Sequence, residues 1–405
     1  MKLFSVLVLI IFMLTSTKVF AAENELSKTV NNFNWNYFKN LDKDKNIFYS
    51  PYSIAAAFSI VANGAKGTTQ KEILSALNAK KITALNGEFK NFRAAMQKNY
   101  KDGVTLSEAD LILIDKKFVG KGIDKKFQNV VKKDYQAKID AADFAENPEA
   151  EIERIKNFVA ESTNDFISDY QATVDADTIL DLLNVIYFKG SWENQFDTSK
   201  TWKSFFTNND GSKNRVEMMS QSFKNNLAYC ADEKFVGIEL PYKNNLAAMY
   251  VILPVHENDL NIAESWNSQE ISYRENFLAD IKNAPPFDGI VEVFLPKFEL
   301  DIKNNLNDDL QKMGIKRAFT NSAEFSNIVK NTRLKISQAN HQAKIKVDEE
   351  GTTAAAVTEI TMVKATAVAT PPKIIYFRAD RPFLFVIRDR NSGVELFTGV
   401  VNSLK

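Results

Sequence analysis

The chain has 405 residues, 45% hydrophobic and 25% charged, and its 51 basic and 51 acidic side chains cancel to a formal net charge of +0. This composition belongs to a globular protein with a sizeable core and excludes the disordered and fibrous classes. It also removes any global electrostatic pull toward nucleic acid or an anionic membrane.

The first residues read as a leader. Lys2 supplies a positive start, Leu3 to Leu14 an apolar run, and Val19-Phe20-Ala21 a small-residue exit. Residues 1–21 are therefore expected to be a secretory signal peptide, with the mature chain starting near Ala22 and lying outside the cytoplasm. The apolar run is too short for a transmembrane span. A secreted chain whose one cysteine is Cys230 closes no internal disulfide, so its stability has to come from packing.

Val30, Phe33, Tyr37 and Leu41 recur at helical spacing and predict an opening amphipathic helix. Ile47 to Tyr49 predicts a short strand feeding a core helix: Ser50 caps it, Pro51 suits its first position, Ile54, Phe58 and Val61 form its buried stripe, and Gly64 ends it. Thr69 and Glu72 have capping-box spacing ahead of a further short helix. Gly64-Ala65-Lys66-Gly67-Thr68 lacks the spacing of a phosphate-binding loop. Phe89, Phe92 and Met96, then Phe127, Val130 and Val131, then Ile155, Phe158 and Val159 predict a helical layer, with Leu111 to Ile114 a buried strand among them.

Ile179 to Phe188 is a near-continuous apolar run bounded by Gly190, the mark of a strand buried on both faces. Asn184 in its middle must find partners inside the protein. Several strands follow between Val216 and Val255. Val291, Val293 and Leu295 alternate into Pro296-Lys297, Leu306 to Met313 predicts a helix stopped by Gly314, and His341, Ala343, Ile345 and Val347 alternate again.

Beyond Gly351 the residues Thr352 to Ala356 are small, uncharged and free of proline, so they suit entry into a sheet. Strand alternation puts Thr352, Ala354, Ala356, Thr358, Ile360 and Met362 on an inner face, and Thr353, Ala355, Val357, Glu359 and Thr361 on a face toward water. Phe383 to Ile387 and Val394 to Val401, around Asn391-Ser392-Gly393, predict a buried hairpin. With no linker or repeat, the expectation is a single α+β domain over 22–405.

The chain carries little chemistry of its own. His256 and His341 are its two histidines, too few beside one cysteine for a zinc site or a Cys-His pair. No Gly-x-Ser-x-Gly elbow is present for a hydrolase. Glu349 and Glu350 are neighbours whose side chains face apart in a strand, and Lys132-Lys133 suits a solvated helix face. No enzyme activity, metal or cofactor is expected.

Four stretches, in order, carry a family resemblance. They are Asn46-Ile47-Phe48-Tyr49-Ser50-Pro51-Tyr52-Ser53-Ile54, Asn184-Val185-Ile186-Tyr187-Phe188-Lys189-Gly190-Ser191-Trp192, Leu295-Pro296-Lys297-Phe298, and Phe377-Arg378-Ala379-Asp380-Arg381-Pro382-Phe383-Leu384-Phe385-Val386-Ile387. Over its mature length the chain resembles a serpin of the inhibitory type. The resemblance implies the serpin fold: helices around a large central mixed β-sheet, with an exposed reactive-centre loop at about 349–376. It implies a secreted, monomeric protease inhibitor that is cleaved in the loop, forms an acyl-enzyme and inserts the loop as a new strand; serpin insertion is a known example of strand addition with released strain.

Single residues follow from the same resemblance. Ser50, Ser53, Asn184 and His341 match the shutter under the sheet. Trp192, Lys297 and Glu349 match the breach, where Lys297 and Glu349 are expected to pair. Glu349, Glu350, Gly351, Thr352, Thr353, Ala354, Ala355, Ala356, Val357 and Thr358 match the hinge, with Thr353 where glutamate is common and Val357 where alanine is usual. Family spacing places the scissile bond at Ala365-Thr366, and Lys364-Ala365 is a near alternative. Alanine implies elastase-like and lysine trypsin-like serine proteases, with cysteine proteases a further target class. The rival reading is a non-inhibitory serpin-fold binding protein or chaperone.

Overall fold

The computed structural model describes residues 25–352 and 371–405. The first part of the chain runs through α1 (Glu25–Phe38), β1 (Ile47–Tyr49), α2 (Pro51–Gly64), α3 (Gly67–Ala76), α4 (Ile82–Asn99) and β2 (Val104–Asp115). It continues with α5 (Lys116–Val119), α6 (Lys125–Asp134), β3 (Lys138–Ala142), α7 (Pro148–Ser162) and β4 (Leu180–Ser191). Next come β5 (Trp202–Thr207), β6 (Lys213–Lys224), β7 (Tyr229–Ala231), β8 (Phe235–Pro241) and β9 (Ala247–Pro254). Then follow α8 (Ile262–Asn267), α9 (Ile271–Asn283), β10 (Ile290–Pro296), β11 (Phe298–Asn305) and α10 (Asn307–Lys312). The last strands are β12 (Gln338–Val347), β13 (Gly351–Thr352), β14 (Ile374–Arg378), β15 (Phe383–Asp389) and β16 (Glu395–Val401).

The strands form three sheets. The central one has the order β11-β12-β4-β2-β3, with β13 paired to β4; it mixes parallel pairs, β12 with β4 and β2 with β3, with antiparallel ones. The second sheet is β1-β16-β15-β9-β8-β7 and the third β14-β10-β6-β5. With its helices this is the α+β architecture expected from the sequence.

The helix α2 starts where its capping residues dictate: the Ser50 hydroxyl accepts from Ser53 N at 3.1 Å and Pro51 occupies the first turn. It is buried nearly all round and packs on β16 and β4. Its neighbour β4 faces two cores. Leu180, Leu182, Ile186 and Phe188 join the main cluster with α2 and the second sheet, while Leu183 and Val185 pack with Ile155 and Val159 of α7. Each such aliphatic side chain contributes ~1.5–3 kcal/mol on burial.

Three expectations need correction. The opening helix ends at Phe38, so Leu41 lies beyond it. The capping box does not form: α3 starts at Gly67, Thr69 lies inside it, and the Glu72 carboxylate accepts Lys316 N and Arg317 N at 2.9 and 2.7 Å. Gly190 does not end its strand, because β4 runs through it to Ser191. The expected burial of β4 on both faces holds: α7 covers Leu183 and Val185, and the Phe166 ring stacks on Tyr187 at 3.8 Å. Among the described residues no helix is long and apolar enough to cross a membrane. The expected leader (1–21), the expected hinge residues Thr353 to Thr358 and the expected reactive centre at Lys364, Ala365 and Thr366 lie outside the described residues.

Candidate functional site

Two strands at the middle of the central sheet pair along part of their length only. The parallel register of β12 on β4 runs from Gln338 opposite Asp181 to Lys344 opposite Tyr187. Beyond that point β12 continues with β11 as far as Val347, and β4 continues with β2 as far as Gly190. In the space between them β13 has bonded to β4 antiparallel, Gly351 opposite Ser191 and Thr352 opposite Gly190. Thr352 is fully buried and its hydroxyl shares a 3.0 Å hydrogen bond with the Tyr242 hydroxyl.

Two glycines allow this close approach. Gly351 has φ 144°, and a Cβ there would stand 2.1 Å from the Gly190 carbonyl oxygen. A Cβ on Gly190 would stand 2.7 Å from the Tyr242 ring. The chain reaches Gly351 through a tight turn in which Asp348 and Gly351 exchange backbone bonds of 2.9 and 3.2 Å, while the Asp348 carboxylate accepts Glu350 N at 3.1 Å.

The top of the gap is braced from both sides. The Trp192 ring stacks on Tyr242 at 4.6 Å, its Nε1 donates to Asp348 O at 3.0 Å, and its backbone N donates to Glu350 O at 2.9 Å. Lys297 Nζ lies 3.1 Å from Glu349 Oε2 and 3.3 Å from Glu217, and the Thr201 hydroxyl donates to Glu349 Oε1 at 2.7 Å. Burial pushes the Glu349 carboxyl up, but the Thr201 and Lys297 hydrogen bonds outweigh it and hold its pKa below the usual range.

Below the gap lies a buried polar cluster. His341 Nε2 accepts Ser50 N at 3.0 Å, which puts the ring proton on Nδ1, facing Asn184 Oδ1 at 2.6 Å. Asn184 Nδ2 donates to Ser53 Oγ at 2.6 Å and to Asp110 Oδ1 at 2.7 Å, and the Ser50 hydroxyl donates to Leu396 O at 2.6 Å. Burial holds the imidazole neutral, its pKa pushed down to about 3. Burial also raises Asp110 to about 6, against the pull of Arg93, whose Nη2 lies 3.3 Å away. The His341–Asn184 contact joins β12 to β4, so parting those strands breaks it.

The family model described as Serpin (serine protease inhibitor) matches residues 28–404. The chain is a serpin. Among relatives, Iris of Ixodes ricinus is 33% identical over 94% of this chain and all of its own length, and Serpin B4 of Homo sapiens is 31% identical over 94% and all of its own. Among solved structures, the thermophilic serpin tengpin in the native state has a TM-score of 0.81 at 27% identity, covering 94% of each chain. Thyroxine-binding globulin in complex with thyroxine has a TM-score of 0.80 at 28% identity, covering 94% of this chain and 99% of its own.

In this serpin the predicted residues fall into two groups. Ser50, Ser53, Asn184 and His341 meet under the sheet, while Trp192, Lys297, Glu349, Glu350, Gly351 and Thr352 meet at its open end. Sequence reasoning missed Tyr242, Thr201 and the Arg93-Glu108-Asp110 group that continues the buried cluster. For that last group a signal existed: Glu108 and Asp110 are acids two apart in the apolar strand β2, which demands a buried cation. Nothing near Tyr242 in the chain marks it. Among the described residues no group of three or more His, Cys, Asp and Glu side chains is placed to hold a metal ion.

Proposed function

We propose that this serpin is a secreted suicide inhibitor of serine proteases. The observation that supports the reading is the bonded start of an extra antiparallel strand, Gly351 and Thr352, in the gap where β12 parts from β4. Continuing that register after cleavage would bring Ala354 opposite Phe188, Ala356 opposite Ile186 and Thr358 opposite Asn184, small residues first and along the buried face of β4. The β12 to β4 pairing would give way to two ladders. Insertion from Thr352 to Ala365 at ~3.3 Å per residue carries the cut end roughly 45 Å.

In this reading the serine hydroxyl of the target attacks the carbonyl carbon of Ala365 or Lys364. The peptide nitrogen of the next residue leaves with a proton, and an ester joins protease to serpin. Insertion then drags the attached protease before water can reach the ester. About ten new sheet hydrogen bonds at a net ~0.5–1.5 kcal/mol each, with burial of Ile360 and Met362 at ~1.5–3 kcal/mol apiece, supply on the order of 10–20 kcal/mol before ordering costs. The hinge residues Glu349 to Thr358, the braces Trp192, Lys297 and Glu349, and the cluster of Ser50, Ser53, Asn184 and His341 are assigned to guiding that entry.

Mixing the purified protein with an elastase-like and a trypsin-like protease, then resolving the products on denaturing gels, tests the reading. A covalent complex is expected, and the mass of the released peptide reports whether Ala365-Thr366 or Lys364-Ala365 was cut. Similarity to thyroxine-binding globulin supports a second reading, a non-inhibitory binding protein. Cleaved serpin with no complex, and no gain in thermal stability after cleavage, would leave that one.

A further inference from the structure

Among the described residues five large hydrophobic side chains stand exposed, and four of them, Trp202, Phe205, Ile374 and Tyr376, lie on the sheet β14-β10-β6-β5. Phe205 points to one side, beside Arg215. The ladder registers put Trp202, Phe294, Ile374, Tyr376 and Arg378 together on the other. There the rings form a strip, Trp202 to Phe294 at 5.5 Å and Phe294 to Tyr376 at 6.4 Å. The Arg378 guanidinium lies over its middle ring and one end, 4.3 Å from the Phe294 centroid and 5.3 Å from that of Tyr376. Among the described residues no carboxylate pairs with it, so an exposed charge is held in place by aromatic faces alone.

Contiguous exposed aromatic surface marks an interaction site, and Trp, Tyr and Arg are the residues that dominate interface energies. We propose that this strip is a second contact surface for the target protease, taking a patch of its surface that combines a carboxylate with apolar groups; the proposal rests on the inhibitor reading above. Position argues for that occupant. Lys373 O accepts Ile290 N at 2.8 Å, so the chain returning from the bait is tied to this sheet one residue before β14. The eight residues from Thr366 to Lys373, seven steps of chain, span at most about 25 Å. A protease domain, wider than that, cannot hold residues 364–366 without bringing its rim near the strip. Arg378 adds steering toward an acidic partner, which acts on the association rate more than on the trapped state.

The test measures association rates with trypsin and with pancreatic elastase at low and moderate salt, together with the number of serpin molecules consumed per protease trapped. The variants are Arg378→Glu and the double variant Trp202→Ala with Tyr376→Ala, all at exposed positions. For a protease that the wild type traps, Arg378→Glu is expected to slow association about tenfold and remove its salt dependence. The double variant is expected to slow it several-fold, and neither changes the stoichiometry or the thermal gain on loop cleavage. Equal rates in all three proteins, or a rate loss that comes with altered stoichiometry, would overturn the contact surface and leave the inhibitor reading standing. A wild type that forms no covalent complex with either protease overturns the inhibitor reading and the surface with it.

Discussion

Replacing Asn184 by alanine should weaken the seam between β4 and β12 more than any other single change in the buried cluster. The amide makes three hydrogen bonds, to Ser53 Oγ at 2.6 Å, to Asp110 Oδ1 at 2.7 Å and with His341 Nδ1 at 2.6 Å. Ser53 and His341 are fully buried and Asp110 is 4% exposed, so water does not reach the orphaned groups freely. Each buried partner left unsatisfied costs ~1–3 kcal/mol. A water entering the vacated space recovers part of that, which brings the expected loss to roughly 3–6 kcal/mol. Folded domains are stable by only ~5–15 kcal/mol, so the loss is a large share of the total. Urea unfolding followed by tryptophan fluorescence measures the total. Amide exchange separates the seam from the rest: Asp181 to Tyr187 and Gln338 to Lys344 should lose protection ahead of the hairpin of β15 and β16. A loss below about 1 kcal/mol with unchanged seam exchange would show that this cluster does not hold the two strands together.

A pH series on His341→Gln isolates the imidazole. Its folded pKa of about 3 lies below the unfolded value, so the unfolded chain takes up the proton first, and the contribution of His341 to stability falls as pH drops below about 6.5. The advantage of wild type over His341→Gln should therefore shrink with acidification, by up to ~1.4 kcal/mol per pH unit, in parallel urea titrations; a constant difference contradicts the neutral-ring assignment. Gly351→Ala meets the Gly190 carbonyl at 2.1 Å and a backbone conformation that L side chains avoid. Strain of ~1–3 kcal/mol should release β13, exposing the Trp192 amide, now bonded to Glu350 O, to rapid exchange. Thr352→Arg places a charge where a fully buried hydroxyl faces Tyr242. On the proposed mechanism it is cleaved as a substrate, and undiminished covalent trapping on gels would refute the buried-face assignment.

The parts of this molecule that were legible are those whose cause is local. Ser50 and Pro51 start α2 through their own neighbours, and the run from Leu180 to Phe188 announces burial by composition. Asn184 was legible as a demand for partners, though their identity came only from the family resemblance. What failed was decided by distant groups. The Thr69 hydroxyl accepts Glu324 N and Glu72 accepts the amides of Lys316 and Arg317, so tertiary acceptors and donors replaced the local capping box. Gly190 looked like a terminator because the reason for it, the ring of Tyr242, is more than fifty residues away in the chain. Arg93 escaped for the same reason: it occupies an amphipathic helix whose apolar stripe says nothing of the acids on β2.

The second sheet imposes an order of events on biosynthesis. Ile47, Phe48 and Tyr49 pair with Val400, Gly399 and Thr398, and β9 waits for β15. β1 thus has no ladder until Thr398 to Val400 have been made, about 350 residues later in the chain, and closing that loop is a slow, high-separation contact. Nascent chains must travel as incomplete intermediates, exposed to aggregation and in need of protection until release. A premature stop ahead of Glu395 would leave β1 without its partner.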